Sequence, residues 1–282
     1  MRNNMENNPL RQYFRRPSVY LKLPSGGKGY PEDVLDLTPT GELPVFPMTA
    51  IDEISARTPD ALFNGTTVAD LIKSCIPNIK DPWQISSDDM DSILIAIRAA
   101  SVGDGLEVES ICPSCTEKSN YNVNLMGLLS TIIPGNYDDV LEVGNVKVKL
   151  KPLTYKDMNA GALKQFEMQR YFMEIEAEED SEKKNKMGLE ALEKVTLVTM
   201  DLISQTVDYV ETPDGERVDN PEFISEFIRS CDRTTFTAIR DFNAELKKNT
   251  EIKPIHTTCP SCEHEYDQPI TLNPTDFFGE GF

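Results

Sequence analysis

The chain has 282 residues, and 47 acidic side chains against 28 basic ones give it a formal net charge of −19 at pH 7. That charge excludes a general nucleic-acid binder, because the phosphate backbone would repel the protein. The apolar runs are shorter than the roughly 20 residues that span a bilayer, and the first residues lack the apolar segment of a secretory signal.

The N-terminal stretch, residues 1–50, is predicted to be an extended basic arm. Residues 1–30 carry six basic side chains and one acid, a local charge of +5, which leaves −24 on the rest of the chain. Proline and glycine recur along the stretch, so no long helix is expected. The arm indicates docking onto an acidic partner or a second copy of the chain. The alternative is a flexible arm whose charge only aids solubility.

The same arm is too apolar to be a free linker. Its apolar residues predict a short strand near Ser18–Leu23, which can add to the sheet of a partner. The candidate partner-binding residues of the arm are Arg15, Arg16 and Tyr20.

Residues 51–125 are predicted to be a helical segment that ends in a β-hairpin. Capping residues and apolar periodicity indicate three helices. The expected ranges are 51–58, 68–75 and 88–101, which begin after Thr49, Thr67 and Ser86 or Ser87. Alternating residues then predict strands at 106–110 and 121–125, on either side of a turn with two cysteines.

Residues 126–250 are predicted to be an inserted, mainly helical domain. A strand pair around Gly144-Asn145 precedes a helical hairpin, whose helices run from Thr154 to about residue 179 and over 181–204. The acidic run between these helices indicates a solvated tip, with an electrostatic docking tip as the alternative. A further hairpin and two helices, 222–230 and 233–248, complete the domain.

Four of the six cysteines stand in two identical tetrapeptides, 112–115 and 259–262, with the sequence Cys-Pro-Ser-Cys. Such a turn between strands presents two thiolates at the separation that tetrahedral zinc requires, and two turns complete a closed site of four sulfurs. A closed site leaves no position for water or substrate, so the predicted Zn²⁺ is structural. The predicted ligands are Cys112, Cys115, Cys259 and Cys262.

The two turns lie far apart in the chain. Roughly 15–20 residues separate the pairs in an ordinary zinc ribbon, whereas 143 residues lie between Cys115 and Cys259. The expected fold class is therefore α+β, mainly helical with small β-hairpins and a split zinc ribbon that the helical insertion interrupts. Residues 251–282 supply the second turn and a C-terminal tail, so the ion would fasten the end of the chain to its middle.

Two other uses of the paired cysteines fit the sequence less well than zinc. A redox pair should open a helix in a βαβ unit, and neither turn does. Disulfides need an oxidising compartment, and no export signal is visible. His256 or His264, which flank the second turn, can replace one sulfur as a ligand. Cys75 and Cys231 fall on apolar helix faces and are assigned to the core.

The chain lacks the nucleophile elbow, the phosphate-binding loop and the zinc-protease helix, so no enzyme is expected. Two alternatives remain open: a zinc-ribbon adaptor that binds nucleic acid, and a zinc enzyme in which one turn cysteine does not bind metal. The aromatic residues of the tail, Phe277, Phe278 and Phe282, are candidate anchors for a groove on a partner. Alternatively, the tail folds back onto its own domain.

Several stretches together carry a resemblance to a known family. These are NPLRQYFRRPSVYLKLPSGG, GELPVFPMTAIDEISARTPDALFNG, IKSCIPNIKDPWQI and the two Cys-Pro-Ser-Cys turns. They resemble the baseplate hub assembly proteins of T4-like contractile-tailed bacteriophages, over most of residues 8–125 and the C-terminal turn.

The resemblance implies a non-enzymatic role in tail morphogenesis, in building the central hub from which the tail tube and its tape-measure protein grow. The implied partners are other hub proteins, with the tape-measure protein and a second copy as further candidates, and without stable membrane insertion. The protein would act in the host cytoplasm during assembly, either as a chaperone that leaves or as a subunit of the virion tail. The family has no assigned catalytic residues to carry over.

Overall fold

The computed structural model describes residues 9–56, 65–250 and 252–270. They form two apolar cores and a pair of β-hairpins that meet at the cysteines. About 48% of the chain is helical, and the sheets are small and antiparallel. The predicted α+β class, mainly helical with small β-hairpins, is confirmed. No described helix is long and apolar enough to cross a membrane.

The described helices and strands are numbered here in chain order. The helices are α1 (Ala50–Ala56), α2 (Thr66–Cys75), α3 (Ser87–Val102), α4 (Leu125–Leu129), α5 (Tyr155–Ala177), α6 (Ser181–Gln205), α7 (Pro221–Ser230) and α8 (Arg233–Thr250). The strands are β1 (Val19–Leu21), β2 (Leu43–Val45), β3 (Gly105–Ile111), β4 (Lys118–Asn124), β5 (Val140–Val143), β6 (Val146–Leu150), β7 (Val207–Glu211), β8 (Arg217–Val218), β9 (Ile255–Thr258) and β10 (Glu265–Gln268).

The N-terminal stretch lies in the first core from Val19 onward, although an extended arm was expected there. The predicted strand forms as β1, and it pairs antiparallel with β2 of the same chain, with Tyr20 opposite Pro44. Leu21 and Leu23 are buried in a cluster with residues of α2 and α3. Their burial stabilises the position of the stretch, because apolar area removed from water contributes about 25 cal/mol per Å².

Helix α3 is the centre of the first core. Ser86 caps it, with the side chain accepting from the Asp88 amide. The sequence predicts a single apolar stripe, but Ile95 and Ala96 are fully buried as well. A helix that is apolar on most sides is surrounded by other elements, and here the arm, α2 and α4 provide that cover.

The first turn of α3 also joins the parts of the molecule. The Asp89 carboxylate is fully buried and accepts from the Ser25 amide at 2.9 Å, the Ser25 hydroxyl at 2.5 Å and the Tyr30 hydroxyl at 2.6 Å. The neighbouring Asp88 accepts from the Gly135 amide at 3.1 Å. One helix turn therefore holds the arm on one side and the loop that leads to the second core on the other.

The second core lies within the predicted insertion. Its sheet has the order β5-β6-β7-β8 with all pairs antiparallel, and Val148 stands opposite Val210. Ile224 and Ile228 of α7 and Ile239 of α8 cover the sheet, and all three are buried. The insertion thus contains a sheet besides its helices. Helix α4, at the expected start of the insertion, packs in the first core.

The long helices α5 and α6 form the predicted helical hairpin. Thr154 and Asp157 form a capping box at the start of α5, and Asp180 caps α6. Most of the hairpin surface is exposed, including the large apolar side chains of Met173 and Leu189. The acidic run lies at its tip, around residues 178–180.

Candidate metal centre

Each Cys-Pro-Ser-Cys turn connects two antiparallel strands. The first joins β3 to β4 and the second joins β9 to β10. In both turns the amide of the first cysteine donates to the carbonyl five residues later, at 3.0 Å for Cys112 and 2.9 Å for Cys259. The amide four residues later donates back to that cysteine's carbonyl, at 2.9 Å and 3.0 Å. The identical tetrapeptides therefore fold into the same local structure.

The residue after each turn has a left-handed backbone conformation. Thr116 has φ 61° and Glu263 has φ 58°, and they are the two non-glycine residues with positive φ in the described part of the chain. This conformation costs an L-residue with a Cβ roughly 1–2 kcal/mol. Neither residue type predicts a left-handed conformation. The sequence indicates it only through the position of these residues directly after the second cysteine, where the chain must reverse.

The two turns bring all four cysteine sulfurs together. The Sγ atoms lie within 4.8 Å of one another. Across the turns, Cys112 Sγ and Cys262 Sγ are 3.7 Å apart, and Cys115 Sγ and Cys259 Sγ are 3.6 Å apart. With zinc–sulfur bonds of about 2.3 Å, a tetrahedron has sulfur–sulfur edges of about 3.8 Å. The cluster therefore has the dimensions of a four-sulfur zinc site.

The chemistry of the donors also suits zinc. All four cysteines are free thiols in the structure, and soft thiolates favour zinc over magnesium or calcium, which prefer oxygen ligands. The first cysteine of each turn is buried and the second is exposed. One side of the cluster is thus packed against protein, and the other is open for an ion to enter.

Backbone amides favour a thiolate at this cluster. Desolvation acts to raise the pKa of Cys112, but hydrogen bonds from the amides of Cys115 and Ser114 outweigh it and lower that pKa to about 6. The Glu117 amide acts to lower the pKa of Cys115, but the neighbouring thiols raise it. The thiolate, not the thiol, is the form that binds metal. Metal binding therefore releases protons and weakens as the pH falls.

Polar contacts join the two hairpins beside the sulfurs. The Ser110 hydroxyl is 2.5 Å from Gln268 Oε1 and 2.8 Å from the Tyr266 hydroxyl. The Tyr121 hydroxyl donates to the carbonyl of Thr258 at 3.1 Å. These bonds fix how the second hairpin sits on the first, since each involves one residue from either side.

The other candidate ligands lie outside the sulfur cluster. His256 Nδ1 is 3.0 Å from Asp267 Oδ1, and this hydrogen bond raises the pKa of His256. The His264 ring lies parallel to that of Tyr266 at 6.2 Å. Cys75 is fully buried in the first core, as expected, and burial raises its pKa to about 12. Cys231 is half-buried at the end of α7.

The candidate partner-binding residue Arg15 is engaged within its own chain. Its guanidinium donates to the carbonyl of Pro47 at 2.6 Å and to the carbonyl of Ser74 at 2.7 Å. It also lies 3.5 Å from the carboxylate of Asp52 in the first turn of α1. Arg15 therefore fixes the arm to the body, and its role as a contact to another protein stays a prediction.

The remaining candidates fall into two groups. Arg16 and Tyr20 are exposed on the arm, and Tyr20 has 60% of its surface accessible. Phe277, Phe278 and Phe282 lie outside the described residues.

Comparison with known proteins gives one match. The family model described as T4 bacteriophage base plate protein matches residues 19–279. No curated protein and no solved structure has a significant match to the chain. The matched range includes both apolar cores and both cysteine turns.

Proposed function

We propose that the chain, which belongs to the T4 bacteriophage base plate protein family, is a non-enzymatic structural protein that acts in assembly of the baseplate hub. The observation that carries the proposal is the family match over residues 19–279, which spans nearly every described element. Hub proteins are the proposed partners, with the tape-measure protein and a second copy as further candidates.

The proposal includes one structural zinc ion bound by the four turn cysteines. Support comes from the sulfur separations of 3.6 and 3.7 Å and from the matching backbone structure of the two turns. Four protein ligands would fill a tetrahedral ion and leave no position for substrate. A structural role follows from that closed set.

A nucleic-acid-binding zinc ribbon is less well supported. The hairpins that carry the turns expose acidic side chains along β3 and β10 and beside the cysteines. These are Glu107, Glu109, Glu117, Glu263, Glu265 and Asp267. Such a surface repels phosphate, so the ribbon suits contacts with protein.

Exposed apolar residues offer surfaces for those contacts. Tyr13 and Ile51 are 77% and 76% exposed, and Leu189 on the helical hairpin is 72% exposed. Large apolar side chains that stand singly at this exposure are ordinary on protein surfaces. These three residues are candidate contact positions for the proposed assembly role.

Infection tests the assembly role directly. A phage whose copy of the gene carries a stop codon should produce heads but no complete baseplates in electron micrographs of lysates. The wild-type gene supplied in trans should restore tails. Normal tails without the gene product would contradict the proposal. Mass spectrometry of purified virions then separates a retained subunit from a chaperone that leaves.

A further inference from the structure

The C-terminal hairpin β9–β10 has few attachments to the rest of the molecule. Within the described ranges, its two strands pair only with each other and continue no neighbouring sheet. The apolar residues around it, Ile252, Ile255 and Ile270, are only partly buried against the first core. The hydrogen bonds of Ser110 and Tyr121 add a small polar contact. The remaining link is the cluster of four sulfurs.

We propose that the metal is a latch. With zinc bound, residues 252–270 are docked on the first hairpin; without zinc they detach, and both apolar cores stay folded. The latch rests on the zinc site of the proposed function. It adds that the position of the C-terminal hairpin depends on whether that site holds zinc. A structural zinc in a small domain is commonly needed for the whole fold, whereas here only one hairpin depends on it.

The hairpin cannot hold its position by itself. An isolated two-stranded hairpin is marginally stable at best in water, and β9 and β10 have four residues each. Ser110 is buried beneath the second hairpin, but detachment exposes its hydroxyl to water, which replaces the lost hydrogen bonds at a small net cost.

The first hairpin behaves differently because its base is anchored. Leu106 and Val123 stand opposite each other at the far end of β3 and β4 from the cysteines, and both are buried in the first core. Neither core contains a cysteine of the two turns. Loss of the ion therefore removes only the partly buried Ile252, Ile255 and Ile270 from the edge of the first core and no buried member of either core, and β3–β4 keeps its place.

The latch also affects Ile270, the last of the described residues. Residue 270 is followed in the sequence by the segment that contains Phe277, Phe278 and Phe282. With the latch closed, Ile270 is held against the first core. With the latch open, Ile270 loses that contact together with the rest of residues 252–270.

Hydrogen exchange measured by mass spectrometry tests the latch on the full-length protein under reducing conditions. The zinc-loaded protein is compared with the same protein stripped by a zinc chelator. Removal of zinc should speed exchange in β9 and β10 on the order of 100-fold. Exchange in α3 and in the sheet β5–β8 should stay within error.

Two variants make the comparison specific. Cys262→Ser removes an exposed ligand and should open the hairpin without the chelator. Cys231→Ser removes a half-buried thiol outside the cluster and should leave exchange in β9 and β10 unchanged.

Three results would overturn the latch. Loss of protection in both cores on zinc removal would make the ion a requirement for the whole fold. Unchanged protection of β9–β10 without zinc would mean that the polar contacts suffice. In either case the zinc site itself would stand, since bound zinc is measured separately. A purified protein without any zinc would overturn the latch together with the zinc site.

Discussion

Thr116 and Glu263 lie beside the metal cluster, and both have a left-handed backbone conformation. In that conformation the Cβ of an L-residue is too close to the following carbonyl oxygen, so both residues are strained. Glycine has no Cβ and adopts this conformation without the steric penalty. Glu263 is exposed and makes no side-chain contact among the described hydrogen bonds and ion pairs, so its replacement removes little else.

We therefore predict that Glu263→Gly tightens zinc binding. A gain of about 0.5–1 kcal/mol corresponds to a decrease in Kd of roughly two- to fivefold. Competition with a chromogenic chelator measures it. Glu265→Gly, at an exposed strand position of the same hairpin, is the control and should weaken binding or leave it unchanged. Equal effects of the two substitutions would contradict the strain at residue 263.

Tyr30 joins the arm to the first turn of α3. Its hydroxyl donates to Asp89 at 2.6 Å and accepts from the Ser86 amide at 2.9 Å. Burial and the Asp89 carboxylate raise its pKa, so the hydroxyl stays protonated at neutral pH.

Tyr30→Phe is expected to lower the free energy of unfolding by about 1–3 kcal/mol, because it removes a hydrogen bond to the buried Asp89 carboxylate and leaves the part-buried amide of Ser86 without its acceptor. Urea unfolding of the zinc-loaded protein measures the loss. Tyr20→Phe removes a hydroxyl from a tyrosine that is 60% exposed and should change stability by less than about 0.5 kcal/mol. Equal losses would show that Tyr30 makes no special contribution.

The residues differ in how far the sequence could predict them. The four cysteines were found because the spacing inside each turn is local and the donor set is chemically distinctive. Asp89 was assigned to the helix dipole, since an acid in a first turn normally needs no other explanation. Its partners Ser25 and Tyr30 are about 60 residues away, as the separations of 64 and 59 show, so only the folded chain reveals them.

At the scale of the element, the helical hairpin α5–α6 separates buried from exposed apolar residues. Ile175 is buried between the helices, whereas Leu189 is 72% exposed. The two side chains have the same size, so they serve as a matched pair.

Ile175→Ala is expected to destabilise the protein by about 2–4 kcal/mol, as for a buried aliphatic side chain. Leu189→Ala should change stability by less than about 0.5 kcal/mol and should reduce tail assembly in infection if a partner covers this face. Thermal unfolding and plaque counts measure the two effects. A large loss of stability for Leu189→Ala would place this residue in the core instead of at a contact surface.

Most helices and hairpins were predicted within a few residues, because caps and apolar periods are local signals. Strand β2 was missed since Pro44 lies at its centre, and proline argues against a strand. In a two-stranded sheet each strand has one edge without a pairing strand. A proline whose nitrogen faces that edge removes no hydrogen bond between strands, so Pro44 is tolerated in β2. Helix α4 was missed because its five residues are too few to show a period.

For the whole molecule, the chain order and the spatial order differ. The first core uses residues from the N-terminal half, the second core lies in the insertion, and the C-terminal hairpin returns to the first hairpin. We propose that the insertion comprises residues 133–250, since Leu128 and Ile132 are buried in the first core. The long gap between the cysteine turns made this return predictable. The packing of the arm into the first core was not predictable, because its basic residues indicate contacts with a partner, whereas Arg15 contacts its own chain.

The structure shows where the charges of the molecule lie. Arg15 faces Asp52 within the protein, so the free positive charge of the arm is smaller than the sequence indicates. The ribbon and the helical hairpin expose acids. The protein therefore presents a mainly acidic surface with apolar patches, which suits assembly with protein partners.

Four cysteines from two hairpins, β3–β4 in the middle of the chain and β9–β10 in its C-terminal part, are proposed to bind one zinc ion. X-ray absorption at the zinc edge tests this binding, on full-length protein purified under reducing conditions and analysed for metal content. About one zinc per chain is expected, with four sulfur neighbours at about 2.3 Å. A protein without zinc, or a zinc ion with nitrogen or oxygen neighbours, would contradict it.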